Sequence, residues 1–345
     1  MTKKPITIYD IAREAQVSPA TVSRVLTGTA AVRKDKAERV RQLIQKYHFQ
    51  PNGLAKALSE NKSHLIAVVV AHTNNSYYNS LLSACETEAY SRGYVTMLMN
   101  TYSNPDNEWS IMQRMRELRP DAAIVCGGRI DLETPDPEYQ GMLCRAMEYT
   151  RVIVGSRSPM PGIPGISVDH RGSIRLGLRY LNRLGHREIG YIYTGTPYYG
   201  TKQRLTTFRE VMAEMGLPLR EEWLIHVPGY DITSGRQGVE QLMSLSRRPT
   251  ALLGMNDMVS VGILQGLLAN GLRVPQDISL LGFDDTFVTD ITTPRLTSVG
   301  YDYQLFARQL LDAALYEGPV EELSENQLIP VYLTERDSVC RAGAG

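Results

Sequence analysis

Polar and aromatic side chains that could bind a small ligand occur in short groups along the larger, later part of the sequence. Carboxylates, amides and guanidinium groups form hydrogen bonds with ligand hydroxyls, and an aromatic ring can cover an apolar ligand face. We therefore expect a site for a polyhydroxylated or heterocyclic molecule. The groups are His72–Tyr78, Ser156 with Arg157, Thr194–Arg204, Tyr230 with Asp231, Asn256 with Asp257, and Asp284 with Asp285.

The elements around these groups alternate between apolar runs typical of β-strands and amphipathic stretches typical of helices. The strand-like runs are LIAVVVA, YVTMLMN, DAAIVCG, RVIVG, EIGYIY, LIHV, ALLGM and ISLLGF. The pattern predicts helices near 77–92, 106–118, 137–149, 171–184, 203–215, 233–246 and 257–271. Such alternation predicts two α/β lobes, each a parallel sheet covered by helices. Ligands bind beyond the carboxyl ends of parallel strands, so the polar groups would meet in a cleft between the lobes.

Motifs of catalysis and of metal binding are missing from the sequence. The first strand-like run continues as VVVAHTNNSYYN, without the G-x-G-x-x-G of a dinucleotide site, and no P-loop or G-x-S-x-G occurs. His72, His170 and His186 lack metal-ligand spacing, and the four cysteines form no CxxC pair, so we expect them to be core thiols. We expect a binding protein with no cofactor and no metal, rather than an enzyme such as an NAD-dependent dehydrogenase.

Positive charge is concentrated in the first 62 residues. This segment holds twelve Lys and Arg against five Asp and Glu, although the whole chain carries 37 of each kind. The rest of the chain therefore has an excess of acidic residues. A basic segment on an acidic body indicates that this end of the molecule meets a polyanion.

Residues 7–26, TIYDIAREAQVSPATVSRVL, predict two short helices joined by a tight turn. Apolar residues from Ile8 to Ala15 recur at i, i+3, i+4 and i+7, and Thr7 with Asp10 forms a capping box. Ser18 is a good N-cap for the second helix, and Pro19 suits its first position. With a third amphipathic stretch after them, these helices predict a helix-turn-helix unit.

The second helix of such a unit enters the major groove of DNA and turns its first exposed residues toward the base edges. The guanidinium of Arg24 can bond both acceptors of a guanine, and Pro19 and Ala20 would lie beside it. The serine and threonine hydroxyls suit phosphate contacts, which position a protein without reading sequence. The predicted DNA-binding residues of this unit are Thr7, Ser18, Pro19, Ala20, Thr21, Ser23 and Arg24.

The order T-I-x-D-I-A-x-x-A-x-V-S-x-x-T-V-S-R-V-L resembles the opening of the LacI/GalR family of bacterial transcription regulators. The resemblance continues through FQPNGLAKALSENKS and covers essentially the whole chain. It implies an α/β fold: an N-terminal three-helix helix-turn-helix head plus hinge helix, then a two-lobed periplasmic-binding-protein-like body of two parallel-sheet subdomains. The expected domains are a DNA-binding domain at 1–51, a hinge helix at 52–62, and an effector-binding and dimerisation domain at 63–345. The first lobe would hold about 63–168 and 301–326, and the second about 169–300 and 327–345.

The resemblance also implies roles for single residues. Asn52–Glu60 would be a hinge helix that forms on specific DNA, with Leu58 wedged between base steps of the minor groove and Asn52 and Ala55 among the DNA contacts. In the body, RLTTF, MNDMVSVG, GFDD and NNSYYNSL correspond to family segments that hold the effector. The implied effector-binding residues are Tyr77, Tyr78, Ser156, Arg204, Tyr230, Asn256 and Asp284.

The family binds pseudo-palindromic operator DNA as a homodimer, and a small molecule between the lobes changes operator affinity. The resemblance therefore implies a transcription regulator, expected to be a repressor, that responds to a metabolite. A sugar or sugar derivative is favoured over a purine or other heterocycle. No leucine heptad follows the last predicted strand, which favours a dimer over a tetramer.

The expected location is the cytoplasm. The start MTKKPITIYD has no apolar segment of signal-peptide length, and no run approaches the roughly 20 apolar residues of a membrane helix. A secreted sugar-binding protein, which would share the body, needs an export signal and has no use for the basic head.

Several positions depart from the family pattern or admit a simpler role. Ser156 stands where many sugar-sensing relatives have Asp, Ser76 where Pro is common, and Arg33 where Ser usually caps the third helix. Asn256 could simply cap the helix that follows it, and Asp284 could cap a turn. Tyr198 and Tyr199 could be surface residues, and 52–60 could be an ordinary linker helix.

Overall fold

The computed structural model describes residues 6–28, 31–49, 62–155, 162–195, 197–323 and 327–343. The chain divides into two compact units, Met1–Ser63 and His64–Gly345. Four of the predicted contact residues lie outside the described residues, namely Asn52, Ala55, Leu58 and Ser156.

The described part of the first unit holds three helices, α1 (Ile8–Glu14), α2 (Pro19–Thr27) and α3 (Lys34–Tyr47). One buried side chain from each helix, Ile11, Val22 and Val40, has no exposed surface. These residues form one small core, so three short helices that would be marginal alone stabilise one another.

The starts of these helices show why the local sequence folds as it does. Thr7 Oγ1 accepts the N–H of Asp10 at 3.3 Å, and the Asp10 carboxylate accepts the N–H of Thr7 at 3.0 Å, which is the predicted capping box. Ser18 caps α2, as predicted, with Pro19 at the first position. Arg33 precedes α3 without a side-chain capping bond.

The first lobe of the second unit is a parallel sheet of six strands among the described residues. The strands are β1 (Leu65–Val70), β2 (Val95–Asn100), β3 (Ala122–Cys126), β4 (Arg151–Gly155), β5 (Gly165–Val168) and β11 (Gln327–Ile329). They pair in the order β11-β5-β4-β3-β1-β2. Two helices pack on each face: α4 (Ser76–Ser91) and α12 (Tyr303–Ala314) on one, α5 (Pro105–Leu118) and α6 (Pro137–Ala146) on the other.

The second lobe repeats this plan with one antiparallel strand at its edge. Its strands are β6 (Ile189–Thr194), β7 (Leu224–Val227), β8 (Ala251–Gly254), β9 (Ser279–Asp284), β10 (Thr297–Tyr301) and β12 (Val331–Thr334). The order is β12-β10-β9-β8-β6-β7, and β12 runs antiparallel to β10. The helices are α7 (His170–Arg183), α8 (Tyr199–Glu214), α9 (Ile232–Met243), α10 (Asp257–Ala269) and α11 (Val288–Ile291).

The chain crosses between the lobes after β5, after β10 and after β11. The last crossing is expected at about 327, but Gln327–Ile329 pairs with β5 in the first sheet, with Gln327 opposite Ile166. The crossing therefore falls after Ile329.

The expectation that all cysteines are core thiols is also wrong in part. Cys85 and Cys126 are buried, whereas Cys144 is exposed and Cys340 is half-buried. Helix α6 buries Met142 and Leu143, so Cys144 turns toward solvent. In the described ranges, no cluster of three His, Cys, Asp or Glu side chains is arranged to hold a metal ion. None of the described helices has the length and apolar content that crossing a bilayer requires.

Candidate functional site

Helix α2 presents an exposed face that carries the predicted base-reading residues. Pro19, Ala20 and Arg24 are exposed, while Val22 on the same helix is fully buried. Ala20 and Arg24 are four residues apart and so lie on the same side of the helix. Among the described residues, no ion pair engages Arg24, although Arg13, Arg33, Arg41 and Lys46 each pair with a neighbouring acid. The Arg24 guanidinium can therefore bind a group outside its own unit.

Two of the predicted DNA-contact hydroxyls of this unit, those of Ser18 and Thr7, serve first as helix caps. Ser18 Oγ accepts the N–H of Thr21 at 3.2 Å and lies 2.9 Å from Thr21 Oγ1. Thr7 Oγ1 donates to the Asp10 carboxylate at 2.7 Å. A hydroxyl oxygen has two lone pairs, so a capping hydroxyl retains capacity for a further bond. Contact of these hydroxyls with phosphate stays a prediction.

A cavity of about 330 Å³ lies between the lobes of the second unit, beyond the carboxyl ends of both sheets. Six of the seven predicted effector-binding residues line it: Tyr77, Tyr78, Arg204, Tyr230, Asn256 and Asp284. The seventh, Ser156, lies outside the described residues. The other lining residues include Ala71, His72, Asn75, Ser103, Asp131, His170, Tyr198, Thr201, Met255 and Tyr301. The structure brings the six together, and their part in effector binding stays a prediction.

Arg204 and Asp284 form a charged pair in the wall of this cavity. They are 7% and 8% exposed, and Arg204 Nη2 lies 3.7 Å from Asp284 Oδ1. Arg204 Nη1 also donates to the carbonyl of Met255 at 2.6 Å, and the guanidinium lies over the ring of Phe283. Burial raises the pKa of Asp284, and the charge of Arg204 opposes that rise. The carboxylate thus depends on the arginine for its charge.

Asn256 has the capping role that the sequence left open. It precedes α10, its side-chain oxygen accepts the N–H of Val259 at 2.7 Å, and its amide nitrogen donates to the carbonyl of Tyr230 at 3.1 Å. The amide oxygen keeps a second lone pair and the nitrogen a second proton. Asn256 can therefore bind a ligand while it holds the start of α10 against the Tyr230 loop.

Aromatic rings line the cavity from both lobes. The rings of Tyr77 and Tyr78 in the first lobe are 4.9 Å apart between centroids, and those of Tyr198 and Tyr230 in the second are 6.1 Å apart. Tyr198, which the sequence allowed to be a surface residue, lines the cavity. Burial raises the pKa of Tyr78, so its hydroxyl is neutral at physiological pH. Neutral phenols offer ligands both a hydrogen bond and a ring face.

Four lining residues with polar side chains were missed by the sequence analysis: Ser103, Asp131, His170 and Tyr301. Ser103 and Asp131 follow β2 and β3, both predicted strands, so the same strand-end rule would have found them. His170 follows β5, and Tyr301 ends β10; neither strand was predicted. Ser103 Oγ lies 3.2 Å from Nε2 of His72, whose pKa burial lowers, which favours a neutral imidazole in the cavity.

An ion-pair cluster holds the turn that carries Asp131. The 3₁₀ turn Gly128–Asp131 follows β3, and Arg129 within it pairs with Glu108 at 2.6 Å and with Asp136 at 3.1 Å. Glu108 is fully buried, and burial raises its pKa while Arg129 opposes the rise. Because Arg129 joins α5 to the start of α6, the Asp131 turn is fixed from both sides.

The lobes also touch beside the cavity, at a site we call the rim contact: Leu132 and Glu133 against Pro197, Tyr198 and Lys202. Leu132 and Tyr198 form an antiparallel bridge, and the N–H of Glu133 donates to the carbonyl of Pro197 at 2.7 Å. The Lys202 ammonium and the Glu133 carboxylate form an ion pair. The rim contact therefore joins the two lobes next to Tyr198, which lines the cavity.

Comparison with known proteins matches the N-terminal helical unit and the two-lobed body separately. A family model described as bacterial regulatory proteins, lacI family, matches residues 7–52, and one described as a periplasmic binding protein-like domain matches residues 178–339. Catabolite control protein A of Priestia megaterium is 29% identical over 312 residues, 89% of this chain and 91% of that protein. The HTH-type transcriptional regulator GalR of Escherichia coli (strain K12) is 29% identical over 326 residues, 94% of this chain and 91% of that one.

Among solved structures, the lac repressor dimer bound to operator and the anti-inducer ONPF matches with a TM-score of 0.85. Sequence identity is 25%, and the match covers 98% of this chain and 100% of that one. The helix-turn-helix head and two-lobed body thus define a DNA-binding regulator with a periplasmic-binding-protein-like sensor. The chain belongs to the lacI family of bacterial regulatory proteins, whose members are transcription regulators and not enzymes. The predicted family and fold class are confirmed.

Proposed function

We propose that the protein binds a pseudo-palindromic operator as a homodimer and changes its operator affinity when a small metabolite occupies the cavity between its lobes. The observation that carries this proposal is the pairing, in one chain, of an exposed α2 face with a buried, polar and aromatic cavity. The solved relative, a lac repressor dimer with operator and anti-inducer bound, supports it. We infer action in the cytoplasm, where operator DNA is, and repression as the direction of control.

On the DNA side, Arg24 would read a base edge, with Pro19 and Ala20 beside it. The hydroxyls of Thr7, Ser18, Thr21 and Ser23 would meet phosphates. The hinge contacts Asn52, Ala55 and Leu58 remain part of the proposal, as do the domain limits 1–51, 52–62 and 63–345.

Exposed apolar residues on both lobes suit an interface with a second copy of the chain. In the first lobe, Tyr90 is 83% exposed at the end of α4, and Val95 on the edge strand β2 is 63% exposed. In the second lobe, Phe287 and Ile291 at α11 are 59% and 72% exposed. A contiguous exposed apolar patch marks a protein interface, and we propose that these residues belong to one on each lobe. Sedimentation equilibrium at micromolar concentration should give a dimer, and a monomer or tetramer would contradict the assignment.

On the effector side, the cavity suits an uncharged sugar or sugar derivative. Asp131 and Asp284 are carboxylates that accept ligand hydroxyls. Arg204, the one guanidinium among the described lining residues, already binds Asp284 and Met255. The tyrosine rings cover C–H faces, and about 330 Å³ is within the range of small-molecule sites. A purine would use the same rings and Asn256, and it is the alternative that the ligand screen separates.

The experiment that tests the regulator proposal has two arms on the full chain. In vitro selection from random duplexes should enrich a pseudo-palindrome with half-sites one helical turn apart, centre to centre. Failure to enrich any sequence would contradict operator binding. A thermal-shift screen of sugars, sugar phosphates and nucleobases should yield a ligand that shifts binding to the selected duplex; at 100 times its Kd it stabilises by about 2.7 kcal/mol. A bound ligand that leaves duplex affinity unchanged would contradict control by the cavity.

A further inference from the structure

The backbone at the end of β9 is strained where it meets the cavity. Asp284 and Asp285 have φ angles of +100° and +50°, a region that residues other than glycine seldom adopt. Strain of this kind persists only where surrounding contacts hold it, and it concentrates at functional sites. We call Asp284–Thr286 the coupling segment. Its contacts must hold the strained backbone in place beside the cavity.

Side chains of the second lobe bind the two residues that follow Asp284 in the coupling segment. The Asp285 carboxylate pairs with Arg336 at 2.7 Å and accepts the hydroxyl of Thr334 at 2.6 Å. The carboxylate of Asp257, which is fully buried, accepts the N–H of Thr286 at 2.7 Å and its hydroxyl at 2.9 Å. Both residues after Asp284 are thus anchored in one lobe.

The first lobe reaches the same segment with two hydroxyls. Tyr303 Oη, at the start of α12, donates to the carbonyl of Asp284 at 3.2 Å. A hydrogen bond of 3.0 Å joins Thr286 Oγ1 to Ser76 Oγ at the start of α4. Ser76 and Thr286 are 3% and 2% exposed, so the bond between them is shielded from water. A proline at position 76 could not form it.

The side chain of Asp284 points the other way, toward the cavity and Arg204. We propose that the coupling segment transmits occupancy of the cavity at Asp284 to the relative orientation of the lobes, with Ser76, Thr286 and Tyr303 as positioning residues. This inference rests on the proposed effector role of the cavity. A ligand hydroxyl that bonds the Asp284 carboxylate changes its pairing with Arg204. The backbone that carries this carboxylate is bound to the first lobe through Tyr303 and Ser76. A shift of Asp284 therefore changes the orientation of one lobe relative to the other.

The rim contact supplies a reporter of lobe closure that needs neither effector nor DNA. The N–H of Glu133 in the first lobe donates to Pro197 in the second, so its hydrogen exchange rises when the lobes separate. Thr286→Val, Ser76→Ala and Tyr303→Phe, each in the full chain, should speed exchange at Glu133 about fivefold, the effect of losing one buried hydrogen bond. Thr286→Ser, which keeps the hydroxyl, should restore the slow rate.

The matched control is Thr150→Val. Thr150 is buried, and its hydroxyl donates to Pro120 at 2.7 Å inside the first lobe alone. This variant loses a buried threonine hydroxyl without touching the lobe boundary, so exchange at Glu133 should stay within twofold of the parent. If Thr286→Val and Thr150→Val change Glu133 alike, the positioning role is overturned.

The link to the cavity is tested by a double-mutant cycle. Asp284→Asn should raise exchange at Glu133 in the parent chain and add nothing further in the Thr286→Val background, because both act through one segment. Additive effects, or no effect of Asp284→Asn in the parent, would overturn the coupling. Since the cycle uses no ligand and no duplex, its result stands apart from the selection and screening arms that test the proposed function.

Discussion

The face of α2 and the wall of the cavity hold their arginines in opposite ways. Arg24 is exposed and, within the described ranges, pairs with no acid, whereas Arg204 is 7% exposed and binds both Asp284 and Met255. A side chain of the first kind contributes to binding a partner and little to folding. One of the second kind contributes to both, because removing it leaves a buried charge. Operator preference is therefore open to single substitutions, while effector preference is tied to the stability of the body.

The largest effect expected from this contrast is at the buried pair. Arg204→Ala leaves the Asp284 carboxylate buried without its cation and should lower the free energy of unfolding by about 3–5 kcal/mol. Urea denaturation followed by the fluorescence of Trp223, which is fully buried in the second lobe, measures it. Arg175→Ala is the control, because its ion pair with Glu214 is 32% and 51% exposed and should cost less than about 1 kcal/mol. Similar losses of unfolding free energy in the two variants would show that the buried arginine contributes no more to stability than an exposed one.

Arg24→Ala should affect binding alone. Affinity for the selected duplex should fall about tenfold to a hundredfold, the value of 1–3 kcal/mol for a bidentate base contact, while affinity for random duplex falls much less. Fluorescence anisotropy at one fixed salt concentration measures both. Arg13→Ala removes the same charge from α1, where Arg13 pairs with Asp10. This variant should lower the affinity for the selected duplex and for random duplex by the same factor. A uniform loss in Arg24→Ala would show that this residue contacts phosphate and not a base.

Ser18 differs from Arg24, because it lies in the same helix-turn-helix unit but stabilises the fold as the cap of α2. Ser18→Ala removes the cap of α2 and should destabilise the head by about 1 kcal/mol, whereas Ser18→Gly should cost only a few tenths. Thermal melting followed by circular dichroism compares them. If Ser18 also binds phosphate, the two variants lose duplex affinity alike once the head is folded. Loss of affinity in Ser18→Ala only would assign Ser18 to folding alone.

The smallest effect is a pH dependence away from both sites. His186 is 2% exposed, with Nδ1 2.9 Å from Thr250 Oγ1 and Nε2 2.9 Å from the carbonyl of Cys340. Burial lowers its pKa below 6.5, and the Cys340 bond opposes this. The unfolded chain then binds the proton more readily, so stability is full above pH 6.5 and falls as pH drops below it. His186→Gln should flatten this slope in urea denaturation between pH 7 and 5.5, and an unchanged slope would assign it to other groups.

Local patterns predicted the parts of the fold that depend on neighbours in sequence. Thr7, Ser18 and Pro19 mark helix starts by their own chemistry, and β1 is recognisable because both of its faces are apolar. β10 was missed because Thr297 and Ser298 are polar yet fully buried. Their bonds go to groups distant in sequence: the N–H of Thr297 to Ser338, and the hydroxyl of Ser298 to Asp257. No local pattern carries that information.

The same limit applies to the cavity. The strand-end rule predicted the groups that contain six lining residues, because parallel strands all end at one edge, and the family resemblance singled out the six within those groups. It did not predict that Tyr303 would hold the carbonyl of Asp284 from the first lobe, or that Ser76 would bond to Thr286. Those bonds depend on how closely the two lobes approach, which is a property of the packed molecule and not of any one segment.

The rim contact has a consequence for chemical labelling. The sequence has eight lysines, and Lys202 is the only one beyond residue 62. Its side chain is 59% exposed and pairs with Glu133 across the lobes. An acylating reagent would thus modify the body at a single amine, four residues from Tyr198 in the cavity lining. Because its ion pair with Glu133 slows acylation of this amine, the rate of that modification would rise when the lobes part.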